Sequence, residues 1–215
     1  MAEPRTDHER RHKRMELVAT VMLAVAAVAT AWSTYQSAQW RGDQASDTGK
    51  ATAAHIESSQ ASTRAGQLTQ IDIATFTQWV DANVAGKTEL AAFYRKRFRP
   101  EFQPAFDAWL AQRPLTSSTA PLTPFAMPEY KLAEADEAAA LDAQATLHTE
   151  AASRANKRAD AYMLAVVLFA TALFFAGVSG KIASARQREV VVILGAVILV
   201  GAAIWIATQP AQLTR

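Results

Sequence analysis

The apolar residues of this chain are concentrated in three blocks that polar stretches separate. The blocks cover about residues 17–35, 161–178 and 190–207, and none of them contains a charged side chain. A helix needs about 17–25 apolar residues to cross the hydrocarbon core of a bilayer. It also satisfies its own backbone hydrogen bonds where no water is available. The pattern therefore predicts three transmembrane helices. We place them at residues 16–35, 161–180 and 190–208.

The long stretch between the first two blocks, residues 36–160, has the composition of a helical domain. Residues 36–66 and 129–160 contain no proline; residues 36–66 are rich in alanine, serine, threonine and glutamine, and residues 129–160 in alanine, glutamate and basic residues. Alanine, glutamine, glutamate and lysine are favourable in helices. Because the two segments adjoin the first and second spans, we expect them to pair as an antiparallel, coiled-coil-like stalk. The predicted fold is an all-α membrane protein whose stalk carries a small helical head.

Residues 68–112 are more aromatic and form the predicted head. Gly86 is expected to break the first helix, and a second helix is expected at about residues 88–98, because Pro100 disfavours helix at the preceding residue. Residues 113–128 contain four prolines, which predicts a linker. The apolar side chains at helical spacing are Leu68, Ile71, Phe76, Trp79, Val80, Leu90, Phe93, Phe102, Phe106 and Trp109.

Basic residues near the span ends predict the orientation, since cytoplasmic segments carry an excess of Lys and Arg. The leader, residues 1–15, and the loop at residues 181–189 are both basic. We therefore expect both in the cytoplasm, with the central domain and residues 209–215 outside. Against this pattern, Arg154, Lys157 and Arg158 precede the second span on the predicted outer side. A domain of this length can cross the membrane regardless of its charge.

The first apolar block has a second interpretation as a cleaved signal peptide. A basic stretch, an apolar run and then Ala29-Thr30-Ala31 match that pattern. Glu16 at the start of the run, and the helical pattern that continues after Trp32, favour a retained span instead.

The residue types needed for most site chemistry are absent or scattered. There is no cysteine, which excludes disulfides and thiolate ligands, and the net charge is only +2. No Ser–His–Asp set, paired-carboxylate motif or glycine-rich phosphate loop is present. His55 and His148 lie on opposite predicted arms, but neither arm has the Glu-x-x-His spacing of bundle metal sites. We expect no enzyme activity, no cofactor and no metal.

The densest charge feature is a basic run at residues 95–99, formed by Arg95, Lys96, Arg97 and Arg99. One interpretation is a contact site for an anion or a lipid headgroup. The other, which we favour, is a solvated helix end whose positive charge complements the helix dipole before Pro100.

Residues 31–45 (AWSTYQSAQWRGDQA) form a distinctive segment at the end of the first span. They resemble an AWSxYQxxxWxGxQA signature of a bacterial membrane-protein family that has no assigned activity and shares the layout of one span, a helical insert and two further spans. The resemblance implies bacterial origin and a membrane location. From the residues themselves, Trp32, Tyr35 and Trp40 are expected to anchor the membrane interface. Gln36 and Gln44 are expected to hydrogen-bond across the helix pair.

These features favour a structural or interaction protein of the bacterial inner membrane, multi-pass, with a cytoplasmic N-terminus. Its expected partners are the lipid bilayer and either further copies of itself or another membrane protein, and not nucleic acid. One alternative is an extracytoplasmic sensor or ligand-binding module, which a helical domain between two spans resembles in layout. The other is a small channel or transport accessory subunit. The uncharged spans disfavour ion translocation.

Overall fold

A computed structural model describes the backbone of residues 7–114, 117 and 119–212, and the side chains from residue 15 onward within these ranges. Parts of three predicted segments therefore lie outside the described residues. They are residues 1–6 of the basic leader, residues 115, 116 and 118 of the proline-rich linker, and residues 213–215 of the predicted tail.

The described residues form helices and connecting turns, with no strand among them. The all-α fold class predicted from the sequence is confirmed at this level. A 3₁₀ turn, Pro124–Ala126, lies in the described part of the proline-rich linker. The helices are α1 (Asp7–Val84), α2 (Thr88–Arg95), α3 (Gln103–Ala111), α4 (Ala133–Ser179) and α5 (Ala185–Ala207).

In the part of the chain that the structure describes, three helices contain apolar stretches long enough to cross a membrane. They are α1 (Met15–Val84 in its described part), α4 and α5. Length and composition therefore identify the chain as a candidate multi-pass membrane protein, as the three apolar blocks predicted. Helix α5 begins at Ala185, so Arg186 and Arg188 lie in its first turn and not in a loop.

The chain divides into two compact units. Unit 1 comprises Met1–Gly49 and His148–Arg215, and unit 2 comprises Lys50–Leu147. All three apolar stretches belong to unit 1, and the aromatic residues of the predicted head belong to unit 2.

Small side chains form much of the interface between the apolar stretches in unit 1. A Cβ added at Gly195 of α5 would lie 3.2 Å from Met22 Cε and 3.2 Å from Phe175 Cβ. Such close packing through small residues is typical of membrane helices. Large apolar residues such as Val28, Phe174 and Val197 are exposed. The buried residues at this interface are Met22, Ala26, Ala165, Phe169, Ala172, Ala176, Val192, Leu199 and Ala202.

Aromatic packing forms the core of unit 2. Helix α1 ends at Val84, and Gly86 follows with φ +71°, a conformation that glycine adopts readily. The break predicted at Gly86 is therefore confirmed, and α2 ends three residues earlier than the expected position 98. Ile71 is half exposed, whereas its neighbour Asp72 is fully buried. The aromatic members of the core are Phe76, Trp79, Phe98, Phe102, Phe106 and Trp109, with Phe125 and Tyr130 packed against them.

Candidate functional site

The signature segment, residues 31–45, contacts the residues that follow α5. Gln36 is fully buried, and its Nε2 donates to the backbone oxygen of Gln212 at 2.8 Å. The backbone N–H of Gln212 donates to Gln36 Oε1 at 3.0 Å. The primary amide of Gln36 thus makes the paired donor and acceptor contacts that two strands of a sheet make with each other.

Other side chains of unit 1 add to this contact. The Gln212 side chain donates to Asp43, and the Tyr162 hydroxyl donates to the backbone oxygen of Pro210 at 3.2 Å. Ser37 donates to the Ala159 carbonyl at 3.1 Å, which links α1 to α4. Hydrogen bonds from α1 and from α4 therefore reach the same short segment, residues 210–212.

The three aromatic rings of the signature segment differ in exposure. Trp32 and Tyr35 are 40% and 48% exposed, with ring centroids 6.0 Å apart. Trp40 is buried instead, and the Arg158 guanidinium lies 4.5 Å from its ring centroid. That Trp40 anchors the membrane interface stays a prediction. Its ring packs inside unit 1 because Ala155, Ala159 and Tyr162 of α4 form a pocket around it.

The two glutamines of the segment have different environments. Gln36 bonds to residues that follow α5 and not across the pair of helices α1 and α4. Gln44 is only partly buried. No pattern within the segment signals the Gln36 contact, since its partner lies 176 positions away.

A buried carboxylate, Asp72, lies at the edge of the unit 2 core. Tyr130 donates to its Oδ2 at 3.0 Å, and Arg99 Nη1 lies 3.1 Å from the same oxygen. Arg99 also pairs with Glu101 at 3.1 Å. Asp72 thereby joins α1 to the segments before α3 and before α4, while its Oδ1 has no hydrogen-bond partner among the described residues.

Burial is the main influence on the pKa of the Asp72 carboxyl. It raises the pKa of the Asp72 carboxyl above its ordinary value, although the Tyr130 hydrogen bond and the Arg99 charge act in the opposite direction. Burial also raises the pKa of the Tyr130 hydroxyl. Asp72 was not among the residues expected from the sequence, yet its spacing of four and seven residues from Phe76 and Trp79 puts a carboxylate on the core face of α1.

The basic run at residues 95–99 does not converge on one anion site. Arg95 pairs with Asp107 at 2.8 Å, and Arg99 forms ion pairs with Asp72 and Glu101. The Arg97 guanidinium lies 3.4 Å from the centroid of the Phe93 ring. Lys96 is exposed. Because three of these cations contact other parts of unit 2, the run does not form a single patch of free positive charge.

Unit 2 also contains a cavity of about 350 Å³ beside the aromatic core. Its walls are mainly apolar, with Asn83 and Ser117 as polar members. Trp109 is fixed at this cavity, because its Nε1 donates to the Pro121 carbonyl at 2.7 Å. The apolar walls are formed chiefly by Phe76, Trp79, Val80, Trp109, Pro114 and Pro121.

The two histidines of the predicted arms each contact a different aspartate. In unit 1, His148 Nδ1 lies 3.3 Å from Asp47, and in unit 2, His55 Nδ1 lies 3.4 Å from Asp142. Within the described part of the chain, no three or more His, Asp or Glu side chains are grouped as metal ligands would be.

Comparison with known proteins gave no match to a family model, to a curated protein or to a solved structure.

Proposed function

We propose that this chain is a multi-pass scaffold of a bacterial inner membrane, which presents a helical domain for association with further copies or with another membrane protein. The main support for this proposal is that the polar side chains conspicuous in the sequence bind within their own unit. Gln36, Arg95 and Arg99, which stood out in the sequence, all bind other parts of their own unit. This use is typical of residues that stabilise a fold.

An antiparallel helical stalk is part of the proposal. In unit 1, Ser37 and Asp47 of α1 contact Ala159 and His148 of α4. In unit 2, Ser58 of α1 donates to the Ala138 carbonyl of α4 at 2.8 Å. Within unit 2, His55 likewise faces Asp142. Inside each unit, the α4 position falls as the α1 position rises, which supports opposite directions for the two helices.

The proposed topology has the leader and the turn between α4 and α5 in the cytoplasm, and unit 2 outside. The basic residues of the leader and Lys181, Arg186 and Arg188 support it. The central domain then faces the extracytoplasmic space, where nucleic acid is not an available partner.

Exposed apolar side chains support association as the mode of action. Unit 2 exposes Ile73 and Phe93 at 45% each, although residues of this type are usually buried. A contiguous apolar patch on the surface of an extramembrane domain is typical of a protein contact site. We infer that these side chains become covered in the assembled protein.

Site-specific photocrosslinking in intact cells tests this proposal. A photoreactive amino acid would replace Ile73 or Phe93, with Arg64, an exposed polar position of unit 2, as the matched control. We expect a discrete crosslinked product, either a dimer of this chain or one membrane partner, from the two apolar positions. Uncrosslinked chain at all three positions, together with a monomer in mild detergent, would contradict the proposal.

The cavity of unit 2 favours a second candidate function, a ligand-binding module. Its apolar aromatic walls and two polar side chains match the usual lining of small-molecule sites, and about 350 Å³ lies within their size range. A thermal-shift screen of the full chain in nanodiscs with small aromatic and aliphatic compounds tests it. Stabilisation that Val80→Trp abolishes would support this function, and the absence of any stabilising compound would count against it.

A further inference from the structure

Two basic residues immediately before the apolar stretch of α4 differ from their charged neighbours. Arg154 pairs with Glu150 at 3.4 Å, and Arg41 of α1 pairs with Asp160 at 3.9 Å. Lys157 and Arg158, in contrast, have no carboxylate partner among the described residues. Within this cluster they are the positive charges that an external anion would meet.

Arg158 is already oriented by its contact with Trp40. Its guanidinium lies 4.5 Å from the ring centroid of the buried Trp40. Stacking on an aromatic face uses the plane of the guanidinium and leaves its N–H donors at the edge. The contact thus reduces the conformational freedom of Arg158 and leaves a fork of donors that suits a phosphate group.

The position along α4 matches the headgroup region of a bilayer. The apolar stretch begins at about residue 161, and a helix rises about 1.5 Å per residue, so Lys157 lies about 6 Å outside it. Leu164 follows Lys157 by seven residues and therefore lies on the same helix face. Leu164 and Val167 are 52% and 55% exposed. One side of α4 thus presents a cation followed by exposed apolar surface.

We propose that Lys157 and Arg158 form a binding site for the phosphate of an anionic phospholipid, with an acyl chain lying along Leu164 on the Lys157 side of α4. This rests on the membrane placement in the proposed function. It also accounts for the basic residues on the side of the membrane opposite to the leader. Positive charge on the outer side of the membrane opposes the preference for basic residues in the cytoplasm, and a bound lipid phosphate would neutralise that charge.

The full chain in nanodiscs tests the site. Spin-labelled phosphatidylglycerol and phosphatidylcholine would compete for the protein, and the ratio of their association constants would be measured. We expect the wild type to prefer phosphatidylglycerol. Each basic residue near an anionic surface contributes about fivefold, so Lys157→Gln should lower the ratio about fivefold, and Lys157→Gln with Arg158→Gln about 25-fold. Lys157→Gln removes no contact to a carboxylate or ring, so it should leave folding unchanged.

A charge-matched control separates a site from general attraction. Arg64→Gln with Lys87→Gln removes the same charge from unit 2 and should leave the ratio unchanged. An unchanged ratio in Lys157→Gln and in the double variant, or an equal fall in the control, would overturn the proposal. Displacement of the lipid by millimolar inorganic phosphate would also overturn it, because free phosphate would then be the ligand. If alkaline carbonate extracted the chain from membranes, the membrane placement itself would fail, and this outcome is distinct from the others.

Discussion

Gln36 exchanges two hydrogen bonds with the backbone of Gln212, a residue 176 positions later in the chain. The contact joins the end of the first apolar stretch to the segment that follows the third. Because Gln36 is fully buried, its amide has little access to water and depends on this segment for both hydrogen bonds. The central polar residue of the signature segment therefore stabilises the arrangement of the three apolar helices.

Replacing Gln36 with leucine is predicted to destabilise the chain and to release residues 210–212. The loss of two buried hydrogen bonds should cost about 1–3 kcal/mol. Thermal unfolding in detergent would measure the stability, and the rate of carboxypeptidase digestion would measure the release. Gln44→Leu is the matched control, since Gln44 belongs to the same segment and is only partly buried. Equal digestion of both variants and the wild type would contradict the role of Gln36.

Gly195 is predicted to be essential for close packing of α5, whereas Gly201 is not. A methyl group at Gly195 meets Met22 and Phe175 at 3.2 Å, and one at Gly201 meets nothing within 4 Å. Gly195→Ala should therefore cost about 1–2 kcal/mol through overpacking. Gly201→Ala should be neutral or slightly stabilising, because alanine is the better helix former. Melting temperatures in one detergent would compare the two variants, and the reverse order would exclude the packing described here.

Within the basic run at residues 95–99, Arg99 is predicted to stabilise the fold, whereas Lys96 is not. Arg99→Gln leaves the fully buried Asp72 without its cation, which should cost about 2–3 kcal/mol given the partial exposure of Arg99. Lys96→Gln alters an exposed side chain and should change stability by less than about 0.5 kcal/mol. Chemical unfolding followed by tryptophan fluorescence would measure both. Similar losses in the two variants would indicate that the run acts as one charge patch.

The pH dependence of stability is predicted to reflect Asp72. Burial raises its pKa in the folded state, so the folded protein binds a proton that the unfolded chain has released. The contribution of Asp72 is therefore fully present below the unfolded-state pKa, near 4, and is lost as the pH rises through the raised folded-state pKa. Arg99, Tyr130 and Glu101 are the charged or titratable groups that face it.

Melting temperatures of the wild type and Asp72→Asn, measured from about pH 3 to pH 7, test this sign. The melting temperature of the wild type minus that of the variant should be largest at acid pH and should fall as the pH rises. A difference that instead grew with pH would mean that Arg99 and Tyr130 outweigh burial and lower the pKa.

The helices and apolar stretches could be predicted because their signals are local. Uncharged blocks predict spans, and the break at Gly86 follows from the conformational freedom of glycine. The same local reasoning did not predict the burial of Trp40, which the sequence suggests as an interfacial anchor. Its burial depends on Ala155 and Ala159 of α4, and no pattern around Trp40 reports them.

Contacts between distant segments could not be predicted, because one sequence carries no record of which residues meet. The Gln36–Gln212 contact and the division of the basic run between Asp107 and Asp72 are of this kind. Asp72 could have been identified from the sequence, because a carboxylate at the spacing of Phe76 and Trp79 is unusual on a core face.

The three-span topology is tested most directly by labelling single cysteines in intact cells, because the chain has no cysteine of its own. Ser62→Cys in unit 2 and Ser184→Cys before α5 are conservative changes at exposed positions. A membrane-impermeant maleimide should label Ser62→Cys in intact cells and Ser184→Cys only after the membrane is permeabilised. Labelling of Ser184→Cys alone in intact cells would reverse the orientation, and labelling of both would contradict the three-span topology.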